Sequence, residues 1–148
     1  MSMSTPHPNT AALAVIYADL CHIERYADDD IVLHTAQRET GSGPALVRGK
    51  AAVTEKMRAL RAQSGDTLDM HVECTVANDY FGSVLGKIRV RRDNQTFTMP
   101  FCGLWRFRDG RIVEHWENAY DIAALDAFMS GIPQETPHSF TPEQSLSP

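Results

Sequence analysis

The spacing of hydrophobic residues divides the chain into a helical first part and a second part that alternates between apolar and polar positions. Apolar residues recur every three to four positions through 11–18 and 20–27, which predicts two helices that share one apolar stripe. A third helix is predicted over 50–63, after a short β-branched strand over 31–35. From residue 68 onward strict alternation takes over, which is typical of strands.

Four alternating segments follow one another with only short turns between them. The segments are residues 68–77, 81–92, 96–108 and 111–120. Turns this short connect antiparallel neighbours, so the pattern predicts a meander. Asp121 then caps a last helix that ends at Gly131. Helices that precede a run of antiparallel strands indicate an α+β fold, with the helices packed against one face of the sheet.

Length and composition favour a single domain. The chain has 148 residues, of which 43% are hydrophobic, and this is enough for one core. We expect the domain to cover 9–132, between a flexible N-terminus over 1–8 and a proline-rich flexible tail over 133–148.

Charge and cysteine content exclude several classes of protein. A formal net charge of −5 argues against a nucleic-acid partner, because phosphate binding requires a basic surface. Three cysteines without metal-site spacing predict neither a disulfide framework nor a zinc site, and favour the cytoplasm. No apolar run approaches the roughly 20 residues of a membrane helix, and no signal peptide is recognisable, so we expect no membrane association.

Alternation also assigns side chains to the two faces of the last strands. One face of 96–108 carries large apolar residues and should point at the helices: Phe97, Met99, Phe101, Trp105 and Phe107, with Gly103 among them. On 111–120 both faces are mixed, and counting leaves open which one points inward. His115 and Glu117 share one face of this strand. The other face carries Ile112, Trp116 and Tyr120.

An apolar patch forms on the back of the sheet if this second set points away from the helices. The patch would consist of Leu104, Ile112, Trp116 and Tyr120. Because such a patch is rarely left in water, it predicts a homodimer through the sheet.

Three segments carry a resemblance to a known family. They are YADDDIVLH, VRGKAAVTEKMRAL and FCGLWRFRDGRIVEHWENAYD. They resemble the SnoaL-like, polyketide cyclase-type branch of the nuclear transport factor 2-like superfamily. The resemblance implies a cystatin-like cone, in which a curved antiparallel sheet packs on N-terminal helices and leaves a pocket open at one end. It also implies that Glu117 and His115 face this pocket, that Trp116 faces a dimer partner, and that no cofactor or metal is needed.

Two departures from related enzymes narrow the activity that the resemblance implies. The SnoaL-type cyclases pair their acid with a histidine on the preceding strand, and Gly103 stands at that place here. Epoxide hydrolases of this fold need a second carboxylate in the cavity, whereas the pocket face of 81–92 offers none. These differences argue against aldol cyclisation of a polyketide and against epoxide hydrolysis.

The remaining chemistry predicts a cofactor-independent isomerase, cyclase or dehydratase that moves a proton next to a carbonyl. Glu117 would be the general base, because apolar walls raise a carboxyl pKa. His115 or His34 would orient the substrate or stabilise an enolate. The wall around a small apolar or aromatic molecule would comprise Tyr17, Tyr26, Met57, Phe101, Trp105 and Phe107.

Less specific readings of the same residues remain open. In one such reading, Glu117 forms an ion pair with Arg106 or Arg111. In another, His115 and His34 are hydrogen-bonded structural residues. In either case the protein would be a ligand-binding or protein-interaction module without chemistry. His34, His115 and Glu117 could together bind a metal, but their spacing gives no support for a metal site.

Overall fold

A computed structural model describes residues 6–132, which form four α-helices and six strands. The helices are α1 (Pro8–Ala18), α2 (Ile23–Tyr26), α3 (Lys50–Gln63) and α4 (Ile122–Ser130). The strands are β1 (Ala27–His34), β2 (Leu46–Arg48), β3 (Asp69–Ala77), β4 (Phe81–Arg92), β5 (Gln95–Arg108) and β6 (Arg111–Ala119). Short 3₁₀ turns precede α2 and follow β1, at Leu20–His22 and Ala36–Glu39. None of the helices in this described part of the chain is long and apolar enough to span a membrane.

All six strands belong to one sheet in the order β2-β1-β6-β5-β4-β3. The predicted meander from β3 to β6 is confirmed, and each of its pairs is antiparallel. The sequence pattern did not predict how β1 joins the sheet, and the structure places it parallel to β6. The last strand of the meander therefore lies between β5 and the first strand of the chain, and this brings the two halves of the molecule together.

One face of the sheet carries the core, as alternation predicts. Leu13 and Ile16 of α1 and Val53 of α3 are fully buried against it. The apolar face predicted for β5 is buried too, and Trp105 on it is only 1% exposed. These helices cover the inner face because their apolar stripes are wide enough to match a continuous apolar sheet. The expected α+β arrangement is confirmed.

The ends of the elements follow local side-chain chemistry. Asp121 caps α4 by accepting a hydrogen bond from the Ala124 amide at 3.0 Å, as predicted. α1 starts earlier than predicted, since the His7 side chain accepts from the Asn9 amide and Pro8 opens the helix. Pro8, which the prediction assigned to a flexible N-terminus, is therefore the first residue of α1. Residues 1–5 and the predicted tail 133–148 lie outside the described residues.

A β-bulge in β6 reverses part of the predicted face assignment. Arg106 pairs with Glu114 and Phe107 pairs with Ile112, so one extra residue, Val113, lies between the two pairs. Ile112 consequently shares the inward face of Phe107 and is fully buried in the core. Its placement in the apolar patch on the back of the sheet was wrong. Beyond the bulge the predicted alternation holds.

Candidate active site

A small cavity of about 70 Å³ lies between the inner face of the sheet and helices α1 and α3. Its walls are mostly apolar, with Tyr17 from α1, Met57 from α3, and Phe101 and Trp105 from β5. Its polar groups are His115, Glu117 and Asn118 from β6, Lys56 from α3 and Gln37 from the turn after β1. An apolar lining with a few convergent polar groups is typical of a small-molecule site, and at about 70 Å³ this cavity is much smaller than the roughly 300–1,000 Å³ of most such sites.

Glu117 faces this cavity from β6, opposite Gly103. Its Oε1 accepts one hydrogen bond, from the Ala36 amide at 3.1 Å. Burial raises the pKa of Glu117, and the charge of Lys56, the Ala36 N–H and the charge of Arg38 offset only part of that rise. Neither arginine considered from the sequence reaches it, because Arg106 contacts Glu114 and Arg111 donates to the Ala27 carbonyl. Glu117 is thus an acid in apolar surroundings without a direct ion pair.

His115 is a buried wall of the cavity. Its Nδ1 lies 2.9 Å from the Leu104 carbonyl oxygen and donates to it, so the neutral ring leaves Nε2 as an acceptor. The ring stacks on Trp105 with centroids 3.4 Å apart. Burial lowers the pKa of His115 to about 3. A neutral imidazole whose one N–H is already used can accept a hydrogen bond from a ligand, but it cannot stabilise an enolate.

His34 lies on the opposite face of the sheet from Glu117, which corrects its prediction as a pocket residue. Ile31 and Leu33 are fully buried on the inner face, so alternation turns His34 outward. Its Nε2 is 2.6 Å from Oε2 of Glu114, and its ring lies parallel to Trp116 with centroids 5.0 Å apart. A metal set with His115 and Glu117 is therefore ruled out by geometry.

Tyr17 occupies the space that a side chain at position 103 would need. A Cβ added to Gly103 would overlap the Tyr17 hydroxyl oxygen. That oxygen accepts a hydrogen bond from Nε1 of Trp105 at 3.1 Å. Burial raises the pKa of Tyr17, so the phenol stays protonated and keeps its own O–H available as a donor. Where related cyclases carry a histidine, this chain places a tyrosine hydroxyl that comes from α1.

The predicted ligand wall is only partly correct. Met57, Phe101 and Trp105 line the cavity together with Tyr17. Phe107 does not, because it is buried deeper along β5, where a Cβ added to Gly82 would also meet it. Tyr26 does not either, since it packs at the edge of the core with the Arg25 guanidinium 5.5 Å from its ring centre.

Sequence reasoning missed four polar residues of the site, which are Lys56, Gln37 and Asn118 in the cavity lining and Arg38 beside Asn118. Lys56 lines the cavity, and its Nζ donates to Oε1 of Gln37 at 3.3 Å. Arg38 donates to the Glu117 carbonyl oxygen and to Oδ1 of Asn118. The sequence did contain a signal for Lys56. It lies four residues before Leu60 and next to Met57, so it faces the same side of α3 as the apolar stripe.

The back of the sheet carries a separate apolar groove of about 450 Å³. Leu104 and Trp116, both predicted for an apolar patch there, line it together with Val76 and Phe81. Leu104 is 41% exposed, and Tyr120, just beyond β6, is 81% exposed. Within residues 6–132, no three His, Cys, Asp or Glu side chains come together as a possible metal site.

Comparison with known proteins agrees with this geometry. The family model of the SnoaL-like domain matches residues 11–115. The chain belongs to the SnoaL-like family. The expected nuclear transport factor 2-like fold is thereby confirmed. Among curated proteins no match is found.

Solved structures of the SnoaL-like fold superpose on nearly the whole described domain. TerC, co-crystallised with polyporic acid, is 18% identical, with a TM-score of 0.70 over 84% of this chain and 99% of its own. IdmH of Streptomyces antibioticus, a candidate polyketide cyclase, is 21% identical, with a TM-score of 0.65 over 85% and 100%. A Catenulispora acidiphila protein of ketosteroid isomerase-like fold, in complex with trimethylamine, is 14% identical, with a TM-score of 0.64 over 90% and 100%. At these identities the likeness shows the fold alone.

Proposed function

We propose that this SnoaL-like protein is a cofactor-independent enzyme that moves a proton next to a carbonyl group of a small, largely apolar substrate. Isomerases, cyclases and dehydratases share this step. The observation that supports it is Glu117, a carboxylate in an apolar cavity that accepts a single backbone hydrogen bond. Its raised pKa makes it a stronger base than an exposed glutamate.

The proposed step uses two side chains of the cavity. Glu117 takes the proton from the carbon next to the carbonyl, and the C–H electron pair moves into the carbonyl group as an enolate. The Tyr17 O–H donates to the enolate oxygen, because its own oxygen is already held by Trp105. Protonated Glu117 then returns the proton to another carbon or to a leaving hydroxyl, while a cyclase would use the enolate carbon to form a bond.

Proton exchange tests this proposal without knowledge of the natural substrate. Acetophenone and cyclohexanone in D₂O should exchange their α-protons faster with the protein than with buffer, as followed by NMR. Glu117→Gln should slow the protein-dependent exchange by about 10²- to 10⁴-fold, the usual contribution of a general base. Glu114→Gln, which changes the same residue type on the outer face of β6, is the matched control and should leave the rate unchanged. An unchanged rate in Glu117→Gln would refute the proposal.

The second candidate is a ligand-binding module without chemistry. The small cavity and the absence of a histidine at Gly103 favour it. A titration of the Glu117 carboxyl by NMR separates the two functions. A pKa near the ordinary value of roughly 4.3, together with no exchange above buffer for either ketone, would favour the module.

We also propose that the groove on the back of the sheet binds a second copy of this chain. Leu104, Val76 and Phe81 expose apolar surface around it, and groups of this kind are usually covered. Light scattering after gel filtration should show a dimer for the wild type and a monomer for Leu104→Glu. Leu46→Glu, a similarly exposed leucine on edge strand β2, should stay dimeric. A wild-type protein that is monomeric at all concentrations would exclude this interface.

The cytoplasmic location expected from the sequence stays a prediction.

A further inference from the structure

Within residues 6–132, Lys56 differs from the other lysines in having no carboxylate within 4 Å of its Nζ. The chain has three lysines, and Lys50 and Lys87 each lie 3.4 Å from a carboxylate oxygen, of Asp29 and Glu73 respectively. Within residues 6–132, Lys56 makes no ion pair within 4 Å, and its Nζ bonds only to the neutral Gln37 amide oxygen. Of the residues that line the cavity it is the one cation. The acid whose charge reaches Lys56 is Glu117 in the same cavity, so once Glu117 takes up a proton the ammonium has no counter-ion there and favours a ligand charge.

A second cation, Arg38, lies near the same end of the cavity. The Arg38 guanidinium donates to the carbonyl oxygens of His34, Thr35 and Glu117 and to Oδ1 of Asn118, all of them neutral acceptors. These bonds fix its place without supplying a negative charge, and the nearby acid is Glu117, whose pKa the charge of Arg38 lowers. Two cations thus stand near the single carboxylate of Glu117. When Glu117 holds a proton, this end of the cavity carries a net positive charge.

We infer that Lys56 makes the cavity selective for molecules with a negatively charged oxygen, either a carboxylate or the enolate of an acidic ketone. One Nζ hydrogen is held by Gln37, which leaves two for the ligand oxygen. The apolar remainder of the ligand would contact Met57, Leu60 and Phe101. This inference deepens the proposed function and rests on the cavity being its substrate site.

The same charge serves the proposed proton transfer. As Glu117 takes the proton, one unit of negative charge leaves its carboxylate and appears on the substrate oxygen. Because Lys56 lines the same cavity, its ammonium can neutralise the charge at its new position without solvent rearrangement. Lys56 therefore fixes where the polar end of the substrate binds, and Phe101 and Met57 contact its apolar end.

Benzoate and benzamide test the selectivity, because they share shape and differ in charge. Titrations followed by ¹H–¹⁵N NMR should show benzoate binding to the wild type about tenfold more tightly than benzamide. Lys56→Met should lose this preference, because benzoate binding weakens by about tenfold more than benzamide binding. Lys87→Met removes an equal charge from the outer part of β4 and should keep the preference.

Glu117→Gln separates this inference from the proposed function. It removes a negative charge next to the site, so benzoate should bind at least as tightly as to the wild type even though exchange is lost. A Lys56→Met variant that still prefers benzoate, or a wild type that binds benzoate no better than benzamide, overturns the inference. Either result leaves the ketone exchange assay untouched, and a failure of that assay leaves the benzoate preference untouched.

Discussion

Glu114 and Glu117 lie three residues apart on β6 and face opposite sides of the sheet. Glu114, on the outer face, is 2.6 Å from His34 and 3.0 Å from Arg106, and these hydrogen bonds hold its pKa below the usual range. Glu117, on the inner face, has one backbone donor, and burial raises its pKa. The outer face therefore favours the ionised form of its glutamate, whereas the inner face favours the protonated form.

The comparison shows that the two faces treat charge differently. The outer face supplies a partner for its acid, and the partners are themselves fixed, since His34 stacks on Trp116. The inner face keeps its acid and its lysine apart from direct ion pairs, at a cost in stability. Paired charge is a structural element, whereas unpaired charge in an apolar cavity is typical of sites that bind or transform a ligand.

The largest expected effect tests how tightly the inner face is packed. Gly103→Ala should lower the free energy of unfolding by about 1–3 kcal/mol, because its Cβ overlaps the Tyr17 hydroxyl. In a Tyr17→Phe background part of this loss should disappear, since the nearest Tyr17 ring carbon is 3.4 Å away, whereas Nε1 of Trp105 at 3.0 Å still crowds the added Cβ. Urea unfolding of the four proteins gives the coupling.

Gly86→Ala provides the control for this cycle. Its Cβ would overlap the backbone carbonyl of His71, which no side-chain deletion removes, so Tyr17→Phe should not rescue it. Equal costs for Gly103→Ala in both backgrounds would show that the tyrosine hydroxyl does not fill the missing side chain's place.

A smaller effect should come from the neutral His115. Its folded-state pKa of about 3 lies far below the ordinary value near 6.5, so between these values only the unfolded chain takes up the proton. Stability is therefore lost as the pH falls below 6.5. Relative to His115→Gln, the wild type should lose about 2 kcal/mol between pH 7 and pH 5. Parallel stability curves for the two proteins, measured in urea, would mean that His115 is protonated in place.

The smallest expected effect is a change in stability of opposite sign when Glu117 or Glu114 is replaced by glutamine. Above its raised pKa, ionised Glu117 costs stability, so Glu117→Gln should stabilise the protein at pH 8 by about 1 kcal/mol, and the gain should vanish near pH 4. Glu114 contributes stability above its ordinary pKa and loses it as the pH falls through its lowered value. Glu114→Gln should therefore destabilise at pH 8 by at most about 1 kcal/mol. Changes of the same sign at pH 8 would remove the contrast between the faces.

Much of the fold follows from short-range patterns in the sequence. The range predicted for α3, 50–63, is the observed one, and Asp121 caps α4 as expected. Alternation failed at the bulge by Val113, because one extra residue moves Ile112 to the other face. It also gives no sign that β1 runs parallel to β6, since that pairing joins residues some 80 positions apart.

The site was less predictable because its contacts are tertiary. Glu117 and His115 were placed in the cavity by a resemblance, and alternation from Ile31 and Leu33 would have turned His34 away from it. Lys56 was overlooked since a lysine on a helix is usually solvated. The Tyr17 hydroxyl occupies the place where a side chain at position 103 would begin. This depends on how α1 packs on β5, and no local pattern encodes it.

The hydrogen bond between Ala36 and Glu117 spans 81 positions of the chain, and it has a consequence for the order of folding. Closing so long a loop is slow, and β1 can pair with β6 only after β6 exists, whereas its other neighbour, β2, follows it closely in the chain. On the ribosome, α1, α2, α3 and β1 emerge well before the strand that carries the acid. The cavity therefore gains its carboxylate only after β6 has been made, and slow hydrogen exchange at the Ala36 amide would report that β6 has joined β1.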